Sequence, residues 1–318
     1  MRPVFLSEQR VASVFTEAIS LKLARQVFAL LGNGQARMPS KIYLDLPAGD
    51  DFRAMPAWVG GEGGGACGVK WVSVFPGNRK RGLATVGATI LLNSARTGEL
   101  QAVLGGGAIT ALRTAATGAL AAQLLARKGC STLALVGAGL QARYQLKALL
   151  PLYRLKRVRV WGALKGEAER FCATFDGPKS LLEPAADVQS AVSEADLIVT
   201  CTPSRRPLVQ ARWVRPGTHI NAIGADAPGK QELDPRILPC AKVVVDELGQ
   251  AAHSGEINVP ITRGTYSERD VHASLADIVT GRRRGRSGPR EITVFDSTGL
   301  AVLDIHFARH AYRMLRAR

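Results

Sequence analysis

The segment that most constrains this chain is residues 131–142, Ser-Thr-Leu-Ala-Leu-Val-Gly-Ala-Gly-Leu-Gln-Ala. It reads as a short apolar strand, a glycine turn and the start of a helix. Gly137 permits the tight turn, Gly139 lets backbone approach a pyrophosphate, and Ala142 in the third slot allows helix and strand to pack closely. Phosphates would sit at the N-terminus of the helix, where free N–H groups and the helix dipole favour negative charge. A bare G-x-G-x-x-A is common, but here an apolar strand precedes it, a helix follows, and a second strand comes at the right distance. Further apolar runs follow at 158–161, 197–201, 219–223, 243–246 and 292–295, spaced by helical segments. Near-continuous apolar strands separated by helices predict a parallel sheet buried on both faces.

The residues before this region read differently. Val11, Val14, Phe15, Ala18, Ile19 and Leu23 share one face at a helical period of about 3.6 residues, predicting a helix over 7–31 that Gly32-Asn33-Gly34 ends. Strands are predicted at 41–46, 68–74, 85–92 and 100–104, then an Ala- and Leu-rich helix over 110–125. A final helix over 300–315 is positioned to return to the first domain. The expected fold class is α/β: a Rossmann-type dinucleotide-binding domain, 113–298, beside an α+β domain, 1–112 with 299–318. No register is assigned between 179 and 187.

Nucleotide choice depends on the end of the second strand, where an NAD enzyme usually carries Asp or Glu to accept the ribose hydroxyls. This chain has Val160-Trp161-Gly162-Ala163-Leu164-Lys165 there. Without the acid the barrier to a 2′-phosphate falls, and Arg143 and Lys165 could supply positive charge. NADP(H) is therefore favoured, with NAD(H) possible.

Three basic residues stand near the ends of predicted elements: Lys41, Lys70 and Arg113. Each alone reads as a surface charge or a structural ion pair. Yet Lys70 interrupts an otherwise apolar strand, where a charge is costly unless it is paired or used. Arg113 begins an otherwise apolar helix and could grip a carboxylate with two parallel hydrogen bonds. Asp226 follows the carboxyl end of a predicted parallel strand, where open α/β sheets place their ligands. It could transfer protons to an amine or imine, or simply make an Asx turn before Pro228.

The segments 68–78, 109–116, 137–142, 220–233 and 295–299 resemble the ornithine cyclodeaminase/mu-crystallin family, in order and over nearly the whole chain. The resemblance implies that 1–112 with 299–318 is a substrate-binding and dimerisation domain, and that the protein is a dimer whose substrate is a small amino or imino acid. By it, Lys70 and Arg113 match basic residues that bind carboxylate and act in catalysis, and Lys41 falls where some members hold the carboxylate with arginine. Asp226 matches the catalytic acid. Cofactor contacts would include Thr85, Arg113, Thr114, Gly137, Gly139, Leu140, Gln141, Ala142, Arg143, Thr202, Gly224, Lys230 and Ser297, with Thr298 beside the substrate. The chain departs from the family at Gly162, which replaces the usual acid, and at Lys41, a point charge in place of a bidentate arginine.

The leading expectation is a ketimine reductase acting on Δ1-pyrroline-2-carboxylate. Ornithine cyclodeaminase, a linear amino-acid dehydrogenase and a non-catalytic NADPH-dependent ligand carrier are the alternatives. With 42 Lys and Arg against 26 Asp and Glu, the chain carries a formal charge of +16. Such a charge attracts anions, but no nucleic-acid-binding motif accompanies the arginines at 282–290, which read as a solvated loop. The same loop, 281–289, is the nearest candidate for disorder. Neither nucleic acid nor membrane is expected as a partner. Five scattered cysteines without a C-x-x-C pair suit free thiols in the cytoplasm. His306 and His310, four residues apart, read as one face of a helix rather than a metal site.

Overall fold

The computed structural model describes residues 2–61 and 64–316. The chain divides into two compact units, Met1–Arg113 with Leu300–Arg318, and Thr114–Gly299.

The first unit is built on a seven-stranded sheet in the order Val4–Leu6, Leu100–Gly105, Val86–Asn93, Ala66–Val74, Asp51–Val59, Ala36–Arg37, with Ile42–Asp45 also paired to Asp51–Val59. All of its pairings are antiparallel except that of Val4–Leu6 with Leu100–Gly105. Asp51–Val59 is a long strand that the sequence reading leaves unassigned, and Pro56 is the reason. Ile42–Asp45 pairs with residues 51–54 and Ala36–Arg37 with 58–59, so on that side Pro56 falls in the gap between two partners, while on the other it stands opposite Val69.

The helix expected over 7–31 is two helices, Glu8–Ala12 and Glu17–Gly32. Thr16 breaks the run by capping the second, its hydroxyl accepting from the Ile19 N–H at 3.2 Å. Glu17–Gly32 packs against Ala301–Arg316, which in turn covers strands Asp51–Val59, Ala66–Val74 and Val86–Asn93. The inward face of the sheet carries Met55, Ala57, Val72, Ile90, Leu92 and Leu104, all buried. Alternation places Trp71 and Leu91 on the other side, where they are exposed along with Ile42 and Leu44, which pair with Ala54 and Phe52 on that same face.

The second unit holds eight parallel strands in the order Leu182–Pro184, Arg157–Trp161, Thr132–Val136, Leu197–Thr200, His219–Ala222, Ile292–Asp296, Ala241–Val245, Ala273–Ser274. The order reverses between Thr132–Val136 and Leu197–Thr200, the switch point where doubly wound sheets bind dinucleotides. The edge strand Leu182–Pro184 supplies the register left unassigned at 179–187. Successive residues of one strand serve opposite cores: Ala134 and Val136 join one buried cluster, Leu133 and Leu135 the other. That accounts for the unbroken apolar runs.

Helix Gly107–Leu125 contributes to both units. Its length and composition would suit a membrane span, but 72% of its most apolar window is buried in the fold. Glu8 caps its start, the carboxylate accepting from the N–H groups of Gly107 and Ala108 at 2.7 Å each. The loop at 281–289 is tied down by Arg286, which donates to the carbonyls of Leu125, Thr218, Gly288 and Glu291 and to the Thr293 hydroxyl. At least this arginine of the basic cluster is a structural clamp.

Candidate active site

In the first unit the site is built around a buried ion cluster. Alternation along strand Ala66–Val74 sends residues 66, 68, 70 and 72 inward, so Lys70 enters the core with its apolar neighbours. There its Nζ meets Asp304 Oδ2 at 2.7 Å and Thr110 Oγ1 at 3.4 Å. Asp304 projects from helix Ala301–Arg316 and also accepts from Arg113 Nε at 3.0 Å. Lys70 and Asp304 are essentially sealed from solvent and Arg113 nearly so. Burial, then the neighbouring charge of Arg113, pushes Lys70 from the ordinary lysine value down to about 7, against the opposing pull of Asp304. Lys41, just before strand Ile42–Asp45, lies near enough for its charge to lower Lys70 further. The structure thus joins Lys70 and Arg113 through a carboxylate, with Lys41 in electrostatic range. Two buried cations meet on one buried anion, an arrangement suited to a carboxylate ligand.

Asp304 was not singled out from the sequence. Its signal is there: Leu300, Asp304, Phe307, Ala308 and Ala311 fall on one helical stripe, and four of the five are apolar. An acid on such a stripe points to a buried partner. Thr85 stands at the exposed start of strand Val86–Asn93, also in this unit.

In the second unit the glycine turn has the shape expected of a phosphate cradle. Gly137 has φ 119°, and a Cβ there would lie 2.9 Å from the Cys201 carbonyl oxygen. A Cβ on Gly139 would meet nothing within 4 Å, so the backbone faces open space at the start of helix Leu140–Leu149. No side chain caps that helix, Leu140 is exposed, and Ala142 is buried against the sheet. These features fit a dinucleotide pyrophosphate. Arg143 turns aside: its Nη2 donates to Thr174 Oγ1 at 2.6 Å and its plane lies 4.7 Å over Phe171. Thr114 is buried in helix Gly107–Leu125, its carbonyl accepting from Gln145 Nε2 at 3.1 Å.

Three acids that sequence reasoning passed over hold the neighbouring loops. Glu232 accepts from the N–H and hydroxyl of Thr202, at 2.6 and 2.7 Å, and from the Gly224 N–H at 2.9 Å. Asp246 accepts from the N–H groups of Thr298 and Gly299 at 2.7 Å and from the Thr298 hydroxyl at 2.9 Å. Asp296 accepts from the Ile257 N–H at 3.1 Å, and burial pushes its carboxyl up to about 8. Ser297 is fixed through its N–H to the Ala222 carbonyl at 3.0 Å. Asp226 lies beyond the carboxyl end of strand His219–Ala222, where Lys230 Nζ donates to its Oδ1 at 2.5 Å. Thr202, Gly224, Asp226, Lys230, Ser297 and Thr298 therefore all sit on loops at the carboxyl ends of parallel strands. Among the described residues no group of three or more His, Cys, Asp or Glu could hold a metal ion.

Asp304→Asn removes the charge that both buried cations share. It is expected to lower the unfolding free energy by about 3–5 kcal/mol, measured by denaturant titration at pH 7. A loss below about 1 kcal/mol, the scale of an exposed ion pair, would refute the central role given to this carboxylate.

The family model for the ornithine cyclodeaminase/mu-crystallin family matches residues 1–318. An alanine dehydrogenase of Archaeoglobus fulgidus is 43% identical over 314 residues, covering 98% of this chain and 95% of its own. An archaeal alanine dehydrogenase dimer solved with bound NAD superposes with a TM-score of 0.94 at 41% identity, covering 100% of this chain and 97% of that one. A Thermococcus litoralis Δ1-pyrroline-2-carboxylate reductase, solved with NADH and L-proline, gives 0.94 at 32% identity, with 99% and 98% covered. On the motifs, the paired architecture and these likenesses, the chain belongs to the ornithine cyclodeaminase/mu-crystallin family.

Proposed function

We propose that this protein is a nicotinamide-dinucleotide-dependent oxidoreductase that reduces the C=N bond of a small α-imino acid, with the cyclic ketimine Δ1-pyrroline-2-carboxylate as substrate and proline as product. The observation that carries this reading is the buried Lys70–Asp304–Arg113 cluster, whose two cations suit an α-carboxylate. The unit Met1–Arg113 with Leu300–Arg318 is assigned to substrate binding and dimerisation, and Thr114–Gly299 to the dinucleotide. The glycine turn suits either dinucleotide; the choice between NAD(H) and NADP(H) is made at the end of strand Arg157–Trp161.

Reduction adds a hydride to the α-carbon and a proton to the nitrogen. The bound reduced dinucleotide supplies the hydride. Arg113 and Lys70, with Lys41 nearby, fix the carboxylate and so set the face of the α-carbon presented for reaction. Asp226, a carboxylate held by the Lys230 ammonium, orients the nitrogen, and Lys70 supplies its proton, since its value of about 7 lets it lose and regain a proton near neutral pH. The loops bearing Thr202, Gly224 and Thr298 are held by buried acids, so their positions need no reorganisation during reaction.

A linear substrate is the second reading, favoured by the 43% identity to an alanine dehydrogenase. The hydride step is the same, and only the space around the side chain differs. The exposed Ile42, Leu44, Trp71 and Leu91 supply an apolar sheet face suited to a symmetric partner. The free state of all five cysteines fits a reducing compartment such as the cytoplasm.

Purified protein with reduced dinucleotide is expected to turn over Δ1-pyrroline-2-carboxylate at least about ten-fold faster than pyruvate with ammonia. The reverse preference would establish the linear reading, and no turnover of either would overturn the enzymatic one. kcat/KM for reduction should fall as pH rises through about 7, as Lys70 loses its proton, and Lys70→Met should remove that step. Sedimentation should show a dimer that Trp71→Glu weakens; a wild-type monomer would contradict the assigned interface.

A further inference from the structure

Gly162 leaves the strand end without the acid that usually accepts the adenosine ribose hydroxyls. The structure brings another carboxylate to the same place. Glu167 opens helix Glu167–Thr174, and its side chain turns back so that Oε2 accepts from the Leu164 N–H at 3.0 Å. A Cβ at residue 162 would lie 2.6 Å from Glu167 Cβ and 3.2 Å from its Oε2. The first distance is shorter than side chains tolerate, so Glu167 occupies room that only glycine leaves. This strand end adjoins the cradle, because the Gly137 N–H donates to the Trp161 carbonyl at 2.9 Å.

We propose that Glu167 takes over the role of the missing strand-end acid, accepting the adenosine ribose diol of NAD(H) and excluding the 2′-phosphate of NADP(H). The proposal rests on the dinucleotide reading above and reverses the nucleotide preference drawn from Gly162 alone. A carboxylate accepts about four hydrogen bonds in all, so it can receive a diol while other contacts persist. A 2′-phosphate offers only negative charge to the same oxygens. Arg143, the cation that could have offset the repulsion, is engaged by Thr174 and Phe171. Lys165 is the remaining positive charge on this turn, and it is exposed to screening solvent.

The test is equilibrium binding of NADH and NADPH, followed by nicotinamide fluorescence, with displacement by 5′-AMP and 2′,5′-ADP to isolate the ribose end. Wild-type protein is expected to bind NADH at least about ten-fold tighter than NADPH. Glu167→Gln should weaken NADH by about three- to ten-fold and strengthen NADPH, bringing their ratio toward one. Gly162→Ala, which forces Glu167 aside, should shift the ratio in the same direction. Equal or tighter binding of NADPH by the wild type, or an unchanged ratio in both variants, would overturn the role of Glu167 while leaving the dinucleotide reading intact. Failure of both dinucleotides to bind would overturn that reading, and this inference with it.

Discussion

The carboxylate of Asp304 makes the charged interior of the first unit possible. Two cations lie in the interior of the first unit, and removing even one ammonium from water without compensation costs several kcal/mol. Asp304 compensates both, at 2.7 Å from Lys70 and 3.0 Å from Arg113. Its place depends on the chain returning: helix Ala301–Arg316 comes from the far end of the sequence to cover the sheet that carries Lys70. Strand alternation turns Lys70 inward, and the capped start of helix Gly107–Leu125 sets the turn from which Arg113 projects. Backbone pattern, helix capping and ion pairing therefore converge on one charged cluster in an apolar core.

The dinucleotide half solves a different problem. Its loops must hold backbone groups in fixed positions at the ends of parallel strands, and it does so with acids placed beneath them. Glu232 links the loop of Thr202 to that of Gly224, and Glu256 in turn accepts from the N–H groups of Glu232 and Leu233. Burial raises the carboxyls of Glu232, Glu256 and Asp296, so part of this network exists in neutral form near pH 7 and need not carry full charge in the interior. Gly224 is required by this arrangement, since any side chain there would overlap the Thr202 carbonyl and the Glu232 carboxylate.

What could be read in the sequence was what has a local rule. The glycine turn at 137–142 announces itself by spacing, and the parallel strands by apolar runs between helices. Lys70 and Arg113 stood out because a charge in an apolar run is anomalous. Strand Asp51–Val59 escaped because Pro56 argues against a strand until its neighbours are known to leave a gap beside it. The break at Thr16 escaped because the apolar period continues across it. Asp304 was visible as an acid on an apolar stripe, but its partners lie about 190 and 230 residues away and no local pattern connects them. Glu167 is harder still: the strand-end rule looks at residue 162, and only the fold shows a carboxylate entering the space that its glycine leaves.

On the proposed function, the buried cluster receives the substrate carboxylate, with Lys70 poised near neutrality. Calorimetry of pyrrole-2-carboxylate binding to the dinucleotide-loaded protein at pH 8, in buffers of different ionisation enthalpy, tests it most directly. Lys70, at about 7 in the free protein, should take up a proton as the anion arrives, and this linked uptake should vanish in Lys70→Met. Binding without proton uptake, or the same uptake in the variant, would contradict the account.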